Sequence, residues 1–342
     1  MTNKKKPATV KDVAKRANVS ISTVSNVINE RSNFSDSTRK KVLKAISELA
    51  YVPDRSASSL RSAKQWSICF VLRDTSYGLV RDPVLAEIVA GISNRCQETG
   101  YDLTVKLWGH DEFDAFQVFR RQSFDGVVLL TSGIDAEYRK TLAEVQSLNV
   151  PIVVVKNQLL PDAHDIAVVN QDDEEGGRLI AEHLLARGAH SFAFLSVTTP
   201  WFSFERRYQA IADTLADLSP GSSLEKLSAR TEGFSDAQDA MSEYFRKGNR
   251  VDAIIGATDA LAIGAMRAAQ AAGLRVPKDI AFGGFNAQEA AKFVTPSLTS
   301  IDMPLYDVGQ RAGDIIISRL ETGAFESAEH TIAARLIRGG ST

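Results

Sequence analysis

Residues 10–29 read VKDVAKRANVSISTVSNVIN, and the first part of the chain is organised around them. Valine and alanine recur at helical spacing in both halves of this stretch, which predicts two short amphipathic helices. Thr9 and Asp12 fit a capping box at the start of the first helix, and Ser20 can cap the second. Asn18 falls where the chain must turn, because asparagine tolerates the left-handed conformation. This is the helix-turn-helix pattern, although an ordinary helical hairpin on a protein surface has the same spacing.

The second of these helices carries a small polar face opposite its valines. That face consists of Ser22, Ser25, Asn26 and Asn29. Side chains of this size can approach phosphates and base edges without steric obstruction, as a recognition helix requires.

Charge is distributed unevenly along the 342 residues, although the formal net charge is only −2. Residues 1–65 contain 14 Lys and Arg against five Asp and Glu, a net charge of +9, whereas the remainder contains 26 against 37, a net charge of −11. A basic head on an acidic body indicates a nucleic-acid partner for the head alone. The lysine run at 4–6 is equally typical of a solvated arm.

A third amphipathic helix, capped by Ser35, completes a small helical domain over residues 1–53, and Leu43 and Tyr51 are expected to extend its core. The Ser- and Ala-rich segment 54–65 follows, and a helix of this length is marginal in isolation. The segment is therefore either a short helix of marginal stability or a flexible linker.

Beyond residue 65, apolar runs typical of buried strands alternate with helical stretches. The alternation runs through two successive series, which begin with SICFVL at 67–72 and IAVVN at 166–170. Such alternation predicts parallel sheets, so the expected fold class is α/β with two doubly wound subdomains. A final strand, helix and strand are expected to complete both sheets. The predicted subdomain bounds are 66–164 with 299–326, and 165–298 with 327–342.

Four stretches spread over the chain are informative together. They are TVKDVAKRANVSISTVSNVIN at 9–29, STRKKVLKAISELAYVPDRSASSLRS at 37–62, TDALAIGAMRAAQAAGLRVPKDIAFGGF at 258–285 and TPSLTSIDMPLYDVGQRA at 295–312. They resemble the LacI/GalR family of bacterial transcription regulators, and the resemblance covers nearly the whole chain in order. It implies a helix-turn-helix headpiece, a hinge helix, a core similar to periplasmic sugar-binding proteins, and a homodimer on a pseudo-palindromic operator. The implied function is repression of a carbohydrate-catabolic operon under the control of a small effector, a sugar or sugar derivative, with the sign of that control left open.

In the DNA-binding part, the resemblance implies base-reading roles for Ile21, Ser22 and Asn26. Their chemistry is suitable, because Ile21 can contact a thymine methyl group and Asn26 can make a bidentate contact to adenine. The position of Asn26 is commonly arginine in the family, so the operator is expected to differ there. Phosphate contacts are implied for Ser20, Thr23, Ser25 and Asn29. A minor-groove hinge is implied for Ala57 and Leu60.

The implied effector cleft departs from the family pattern. An aromatic pair is usual after the first strand of the core, but Val84 and Leu85 stand here, and Asn286 replaces a usual aspartate. The implied effector-binding residues are Arg81, Val84, Lys156, Arg206, Thr258, Asp259 and Asn286. Because the basic members of this set, with Arg207, make the cleft more cationic, an acidic or phosphorylated effector is expected. The candidates to replace the missing aromatics, or else to pack in the core, are Trp108, Trp201, Phe202 and Phe204.

Other function classes lack their sequence features. No GxGxxG follows the first strand of the core, so a dinucleotide site would lack its phosphate turn. The five histidines show no metal-binding spacing and no GxSxG elbow is present, so neither an enzyme, nor a metal site, nor a cofactor is expected. A periplasmic binding protein would need a signal peptide and would have no basic helical head. Without an apolar run of membrane-spanning length the expected location is cytoplasmic, with Cys69 and Cys96 reduced and buried.

Overall fold

The computed structural model describes the chain at residues 8–28, 34–51, 64–73, 83–108, 124–131, 136–161, 164–199 and 201–342. The chain divides into two compact units, Met1–Gln65 and Trp66–Thr342. Four residues with predicted contacts lie outside the described residues, namely Asn29, Ala57, Leu60 and Arg81.

The described residues of the first unit form three helices, α1 (Val10–Ala17), α2 (Ile21–Ile28) and α3 (Asp36–Glu48). Their inward faces share one small core, which consists of Val13, Ala14, Ala17, Val24, Val27, Val42 and Ala45. Tyr51 packs against this core as expected. The expectation for Leu43 is wrong, because its neighbour Val42 points inward and successive helical residues are turned by about 100°, which leaves Leu43 exposed.

Local hydrogen bonds fix where these helices begin and turn. The amide of Thr9 donates to Asp12 Oδ2 at 2.8 Å, and the amide of Asp12 donates to the Thr9 hydroxyl at 3.4 Å. Asn18 ends α1 with φ of 54° and ψ of 50°, which is the left-handed conformation. The amide of Thr38 donates to the Ser35 hydroxyl at 3.3 Å. The predicted capping box, turn and third cap are therefore confirmed.

The described residues of the second unit form two six-stranded sheets. In chain order the strands are β1 (Ser67–Arg73), β2 (Asp102–Trp108), β3 (Gly126–Thr131), β4 (Ile152–Val155), β5 (Ile166–Gln171), β6 (Ser191–Val197), β7 (Ser223–Ala229), β8 (Ala253–Gly256), β9 (Ala281–Phe285), β10 (Thr299–Asp302), β11 (Glu329–Ile332) and β12 (Arg335–Ile337). The first sheet has the order β11-β5-β4-β3-β1-β2 and is parallel throughout. The second has the order β12-β10-β9-β8-β6-β7 and is parallel except for β12, which runs antiparallel to β10.

Helices pack on these sheets. They are α4 (Pro83–Thr99), α5 (Ala136–Gln146), α6 (Asp173–Ala186), α7 (Phe202–Leu218), α8 (Phe234–Arg246), α9 (Asp259–Ala271), α10 (Glu289–Phe293) and α11 (Leu305–Thr322). The apolar run of strand β1 is continuous because both of its faces are buried. Ile68, Phe70 and Leu72 belong to one buried cluster, whereas Cys69 and Val71 belong to another. Since successive side chains point to opposite faces, both faces of the sheet are covered, and the predicted α/β class is confirmed.

The predicted subdomain bounds are wrong for three strands. Strands β5 and β11 belong to the first sheet, although both were assigned to the second subdomain, and β10 belongs to the second sheet, although it was assigned to the first. Hydrophobic periodicity identifies a buried strand but carries no information about its partner strand. Within the described residues the chain therefore passes between the sheets three times: between β5 and α6, between β10 and α11, and between β11 and β12.

One strand of the second unit was missed by the sequence analysis, and its two cysteines are placed as expected. Strand β7 was not predicted, because it lies at the edge of its sheet with mostly exposed side chains and lacks an apolar run. Cys69 and Cys96 are both free and buried, as expected, and burial raises the pKa of the Cys96 thiol to about 11. Among the described helices, none combines the length and apolar character that crossing a lipid bilayer requires.

Candidate functional site

Helix α2 presents the predicted base-reading side chains on its outer face. Ile21 is 42% exposed, Ser22 is exposed, and Asn26 is half-buried. Val24 and Val27 anchor the opposite face in the core of the first unit. An apolar side chain left exposed at the first turn of a helix, beside small polar ones, suits the edge of a thymine base.

Hydroxyl groups cluster where α2 begins. The Ser20 hydroxyl accepts the amide hydrogen of Thr23 at 3.1 Å, which confirms the predicted cap. The same oxygen lies 2.7 Å from the Ser22 hydroxyl and 2.8 Å from the Thr23 hydroxyl. These groups surround a helix N-terminus, where backbone amides and the helix dipole favour an anion such as phosphate. Of the other predicted phosphate contacts, Ser25 is half-buried and Asn29 lies beyond the described part.

Exposed cations surround the same bundle. Arg16 pairs with Glu48 at 2.5 Å across α1 and α3. Lys11, Lys15, Lys40 and Lys41 are exposed, and none of them forms an ion pair with the described residues. Cations without local partners are available to neutralise phosphates, which is the sequence-independent part of DNA affinity.

The second unit contains a cavity of about 820 Å³ where β10 leads into α11. One side is built by the first turns of α4 and α11, and the other by the N-terminus of α8 and the segments that follow β8 and β9. The described lining consists of Pro83, Val84, Glu87, Glu232, Gly233, Phe234, Thr258, Ala260, Asn286, Ala287, Gln288, Glu289, Ala290, Asp302, Met303, Pro304, Leu305, Tyr306 and Asp307. In open α/β sheets, ligands bind at the carboxyl ends of the strands, and this cavity lies at such ends in the second sheet.

Three of the predicted effector residues meet in this cavity: Val84, Thr258 and Asn286. Asn286 is 7% exposed, and its Oδ1 has no hydrogen-bond partner among the described residues. Thr258 caps α9, because its hydroxyl accepts the amide hydrogen of Leu261 at 3.4 Å. A buried acceptor without a partner is costly, so Asn286 is a position where a ligand donor would be stabilising.

The described members of the predicted cationic set, Lys156, Arg206 and Arg207, do not line this cavity. Lys156 is buried at the end of β4 and is not part of the lining, and Arg206 lies on a different concavity, paired with Glu174 at 2.9 Å. The described lining contains no Lys or Arg. It contains five carboxylates, which are Glu87, Glu232, Glu289, Asp302 and Asp307. The described cavity is therefore acidic, opposite to the expected cationic cleft.

Arg207, not Arg206, is the arginine that points inward from α7. It is fully buried, its Nε bonds to Asp173 Oδ1 at 2.8 Å, and its Nη1 donates to the carbonyl of Ala257 at 2.5 Å. Its guanidinium lies 4.5 Å from the centre of the Phe285 ring, and its Nη2 has no partner among the described residues. Arg207 thus ties α7 to α6 and to the end of β8, directly behind the cavity wall.

Asp259 also lies behind the wall and not on it. Its side chain is fully buried, and it is absent from the described lining. Oδ1 accepts the Ser300 hydroxyl hydrogen at 2.5 Å, and Oδ2 accepts the Gln288 amide hydrogen at 2.7 Å. Burial raises the pKa of this carboxyl from 3.8 to about 7, against smaller lowering effects from those two hydrogen bonds and from Arg207. The direct effector contact expected for Asp259 is not what this geometry provides.

Two aromatic residues, Phe234 and Tyr306, are part of the described cavity lining, and neither was predicted from the sequence. Phe234 opens α8 and is 47% exposed. The predicted replacements lie elsewhere: Trp201 and Phe204 contact each other with ring centres 6.3 Å apart, and the Phe202 ring lies 5.4 Å from the guanidinium of Arg206. The side chain of Trp108 lies outside what the structure describes. Recognising β7 as a strand would have marked Phe234, because it follows the carboxyl end of that strand.

Comparisons with known proteins bear on both units. Residues 9–54 match the family described as bacterial regulatory proteins, lacI family, and residues 181–342 match the periplasmic binding protein-like domain. The HTH-type transcriptional regulator DegA of Bacillus subtilis is 30% identical over 310 residues, which cover 88% of each chain. The ribose operon repressor of Halalkalibacterium halodurans is 28% identical over 334 residues, which cover 96% of this chain and 95% of that protein.

Among solved structures, the lac repressor dimer bound to operator and the anti-inducer ONPF is 25% identical, with a TM-score of 0.79. It covers 98% of this chain and 99% of that one. This chain and the lac repressor therefore share the same architecture over nearly their whole length, a helix-turn-helix unit followed by a two-sheet core. The chain belongs to the LacI family of bacterial regulatory proteins, and the predicted family and regulatory function are confirmed.

Proposed function

We propose that this regulator represses transcription by binding a pseudo-palindromic operator as a homodimer, under the control of a neutral, hydroxyl-rich effector such as a sugar. The effector binds in the cavity lined by Thr258 and Asn286. Helix α2 enters the major groove of the operator.

The polarity of the cavity is the observation that supports a neutral, hydroxyl-rich effector. Its described lining offers acceptors, such as the unpartnered Asn286 Oδ1 and the carboxylates of Asp302 and Asp307, and contains no Lys or Arg. A ligand that donates hydrogen bonds complements such a lining, whereas a phosphate or carboxylate would meet charges of its own sign. Phe234 adds an exposed ring on which the apolar face of a sugar can pack. A neutral sugar therefore replaces the acidic or phosphorylated effector expected from the sequence.

The relatives support this class of effector. One is a ribose operon repressor, and the lac repressor structure holds the ligand ONPF together with operator DNA in a dimer. For the present chain we infer the same arrangement of partners, a homodimer with double-stranded DNA and a small effector. Because chromosomal DNA is its target, we infer a cytoplasmic location.

Effector binding is coupled to DNA through the passages of the chain between the two sheets. The cavity takes Val84 and Leu305 from one subdomain and Thr258 and Asn286 from the other. A ligand that contacts both sides stabilises the closed arrangement of the two subdomains over the open one. In a homodimer this changes the spacing of two headpieces, and therefore their fit to two half-sites.

The residues proposed for DNA recognition follow the sequence analysis. Base edges are read by Ile21, Ser22 and Asn26, of which Ile21 and Ser22 are exposed. Phosphate contacts are proposed for Ser20, Thr23, Ser25 and Asn29. The minor-groove hinge is proposed to consist of Ala57 and Leu60, where an apolar side chain inserted at a base step kinks the duplex.

Thermal shift and gel shift measurements test the proposal together. Each of D-ribose, D-glucose, D-galactose and cellobiose is compared with glucose 6-phosphate and gluconate, since a ligand that binds only the folded state raises its melting temperature. We expect a neutral sugar to raise the melting temperature and to change the affinity of the full chain for its promoter DNA, the direction giving the sign of control. A melting temperature that responds to the phosphate or the acid but to none of the sugars would overturn the effector class.

A further inference from the structure

We propose that Asp259 is a positioning residue of the effector cavity: through Ser300 and Gln288 it holds Asn286 in its ligand-facing conformation without touching the ligand. The inference rests on the proposed function only in taking this cavity as the effector site. It concerns the segment 286–288, which connects β9 to α10.

Every backbone amide of this segment is held by a different partner. The Asn286 amide donates to the carbonyl of Ile301 at 2.8 Å, and the Ala287 amide donates to the Ser300 hydroxyl at 3.0 Å. The Gln288 amide donates to Asp259 Oδ2 at 2.7 Å. The Ser300 hydroxyl in turn donates its own hydrogen to Asp259 Oδ1 at 2.5 Å. Two of these three amides are therefore held by Asp259, Gln288 directly and Ala287 through the Ser300 hydroxyl.

The conformation of the segment requires such anchors. Asn286 has φ of 99° and Ala287 has φ of 46°, and neither residue is glycine. Residues with a Cβ rarely adopt positive φ, so the surrounding structure must enforce two such residues in succession. This backbone leaves the Asn286 side chain in the cavity lining with its Oδ1 unpartnered.

The sheet makes room for the carboxylate. A Cβ on Gly284 would lie 2.4 Å from Asp259 Oδ1, so no larger residue fits there without displacing the carboxylate. Asp259 itself stands in the first turn of α9, with Thr258 as the cap. A carboxylate is an acceptor at both oxygens, so it can hold a hydroxyl and an amide at once, which a hydrophobic side chain of the same volume cannot do.

Asp252 provides a matched control at the amino ends of strands β6 and β8 of the same sheet, whereas the cavity lies at the carboxyl ends. Its Oδ2 accepts the amide hydrogens of His190 and Ser191 at 2.9 Å each, at the start of β6 and next to the start of β8. Like Asp259, Asp252 therefore accepts two hydrogen bonds on one carboxylate, but it is not part of the described cavity lining. A purely structural role of Asp259 predicts that Asp259→Ala and Asp252→Ala behave alike.

The experiment compares the full-length wild type with Asp259→Ala, Asp259→Asn, Ser300→Ala and Asp252→Ala. Calorimetry uses D-ribose, D-glucose, D-galactose and cellobiose in turn, and hydrogen exchange follows the amides of Ala287 and Gln288. Asp259→Ala and Ser300→Ala are expected to weaken sugar binding about tenfold or more, because each leaves buried donors unpaired. Asp259→Asn is expected to stay within about threefold, because its amide oxygen accepts from Gln288 and its NH₂ group donates to Ser300.

The outcomes separate the inference from the proposed function. Asp252→Ala is expected to melt earlier and still bind sugar with wild-type affinity. If Asp259→Ala binds as tightly as the wild type, or if Asp252→Ala loses affinity to the same extent, the positioning role is overturned. If none of the sugars binds the wild type, the proposed effector class fails, and hydrogen exchange alone decides the inference. Faster exchange at Ala287 and Gln288 in Asp259→Ala, restored in Asp259→Asn, then supports it, and unchanged exchange overturns it.

Discussion

Replacing Asp259 by asparagine should change how the stability of the core depends on pH. Burial raises the pKa of this carboxyl from 3.8 to about 7, and Arg207 is the charged group that acts against that rise. Between these two values the folded protein holds a proton that the unfolded chain has lost. The resulting stability is fully present at low pH and is lost as the pH rises through 7. Because asparagine does not titrate, the Asp259→Asn protein does not lose this stability as the pH rises.

The size of the effect follows from the shift. A pKa difference of this size amounts to about 4 kcal/mol over the whole range, of which about 2–3 kcal/mol falls between pH 5 and pH 8. We therefore expect the free energy of unfolding of Asp259→Asn, taken relative to the wild type, to increase by about 2–3 kcal/mol over that interval. Other titrating groups are common to both proteins and cancel in the difference.

Urea unfolding followed by tryptophan fluorescence is a suitable assay. Trp66, Trp108 and Trp201 are the three tryptophans of the chain, and all of them belong to the second unit, so the signal reports the core and not the headpiece. Unfolding curves of the two proteins are compared at pH 5 and pH 8 with the same fitted slope. If the stability difference between them is the same at both pH values, Asp259 titrates near its ordinary pKa and the reasoning from burial is refuted.

Three further predictions concern other parts of the molecule. Asp173→Ala leaves the buried guanidinium of Arg207 without its partner and should lower the free energy of unfolding by about 3–5 kcal/mol, whereas the double change with Arg207→Met should lower it less, both measured by urea unfolding. Phe234→Ala should weaken sugar binding in calorimetry, whereas Leu218→Ala, exposed at the end of α7, should not; equal losses would remove Phe234 from the site. Asn26→Arg should change the preferred base at one position of each half-site in a binding-site selection, and an unchanged consensus would contradict its base-reading role.

Features that depend on neighbours along the chain could be predicted from the sequence. The capping box of Thr9 and Asp12, the left-handed Asn18 and the cap at Ser20 each involve groups within three residues of one another, so residue type and spacing are sufficient. The apolar run of β1 likewise indicates a strand covered on both faces, because every residue of the run must be apolar.

Features that depend on partners distant in sequence could not be predicted in this way. Strand β5 is largely apolar, like its neighbour β4, whereas β10 reads TSID and is mostly polar, and neither composition states which sheet the strand joins. Arg206 and Arg207 are adjacent on α7, but about 100° apart around its axis, so one faces solvent and the other is fully buried. The resemblance to the family predicted Arg206 as the inward-facing arginine, whereas the packing of α7 shows that Arg207 is the buried one.

The same distinction applies to the effector site. The resemblance to the family assigned Thr258 and Asn286 to the effector site, and both line the cavity, close to the carboxyl ends of β8 and β9. The acidic character of the cavity could not be predicted, since Asp302 and Asp307 flank a passage between the sheets, which periodicity does not reveal. The network beneath Asn286 depends on Ser300, which is 41 residues from Asp259 and has no motif of its own.

The passages between the sheets have a consequence for synthesis of the protein. Strand β5 pairs with β11, and β10 pairs with β12, so each sheet obtains an outer strand from residues 329–337. Helix α11, which packs on the first sheet, also comes late in the chain. While a ribosome adds residues from the N-terminus onward, neither subdomain can close its sheet until this final segment has been made. The headpiece, whose described contacts all lie within residues 8–51, faces no such delay, so the DNA-binding part is complete long before the part that controls it.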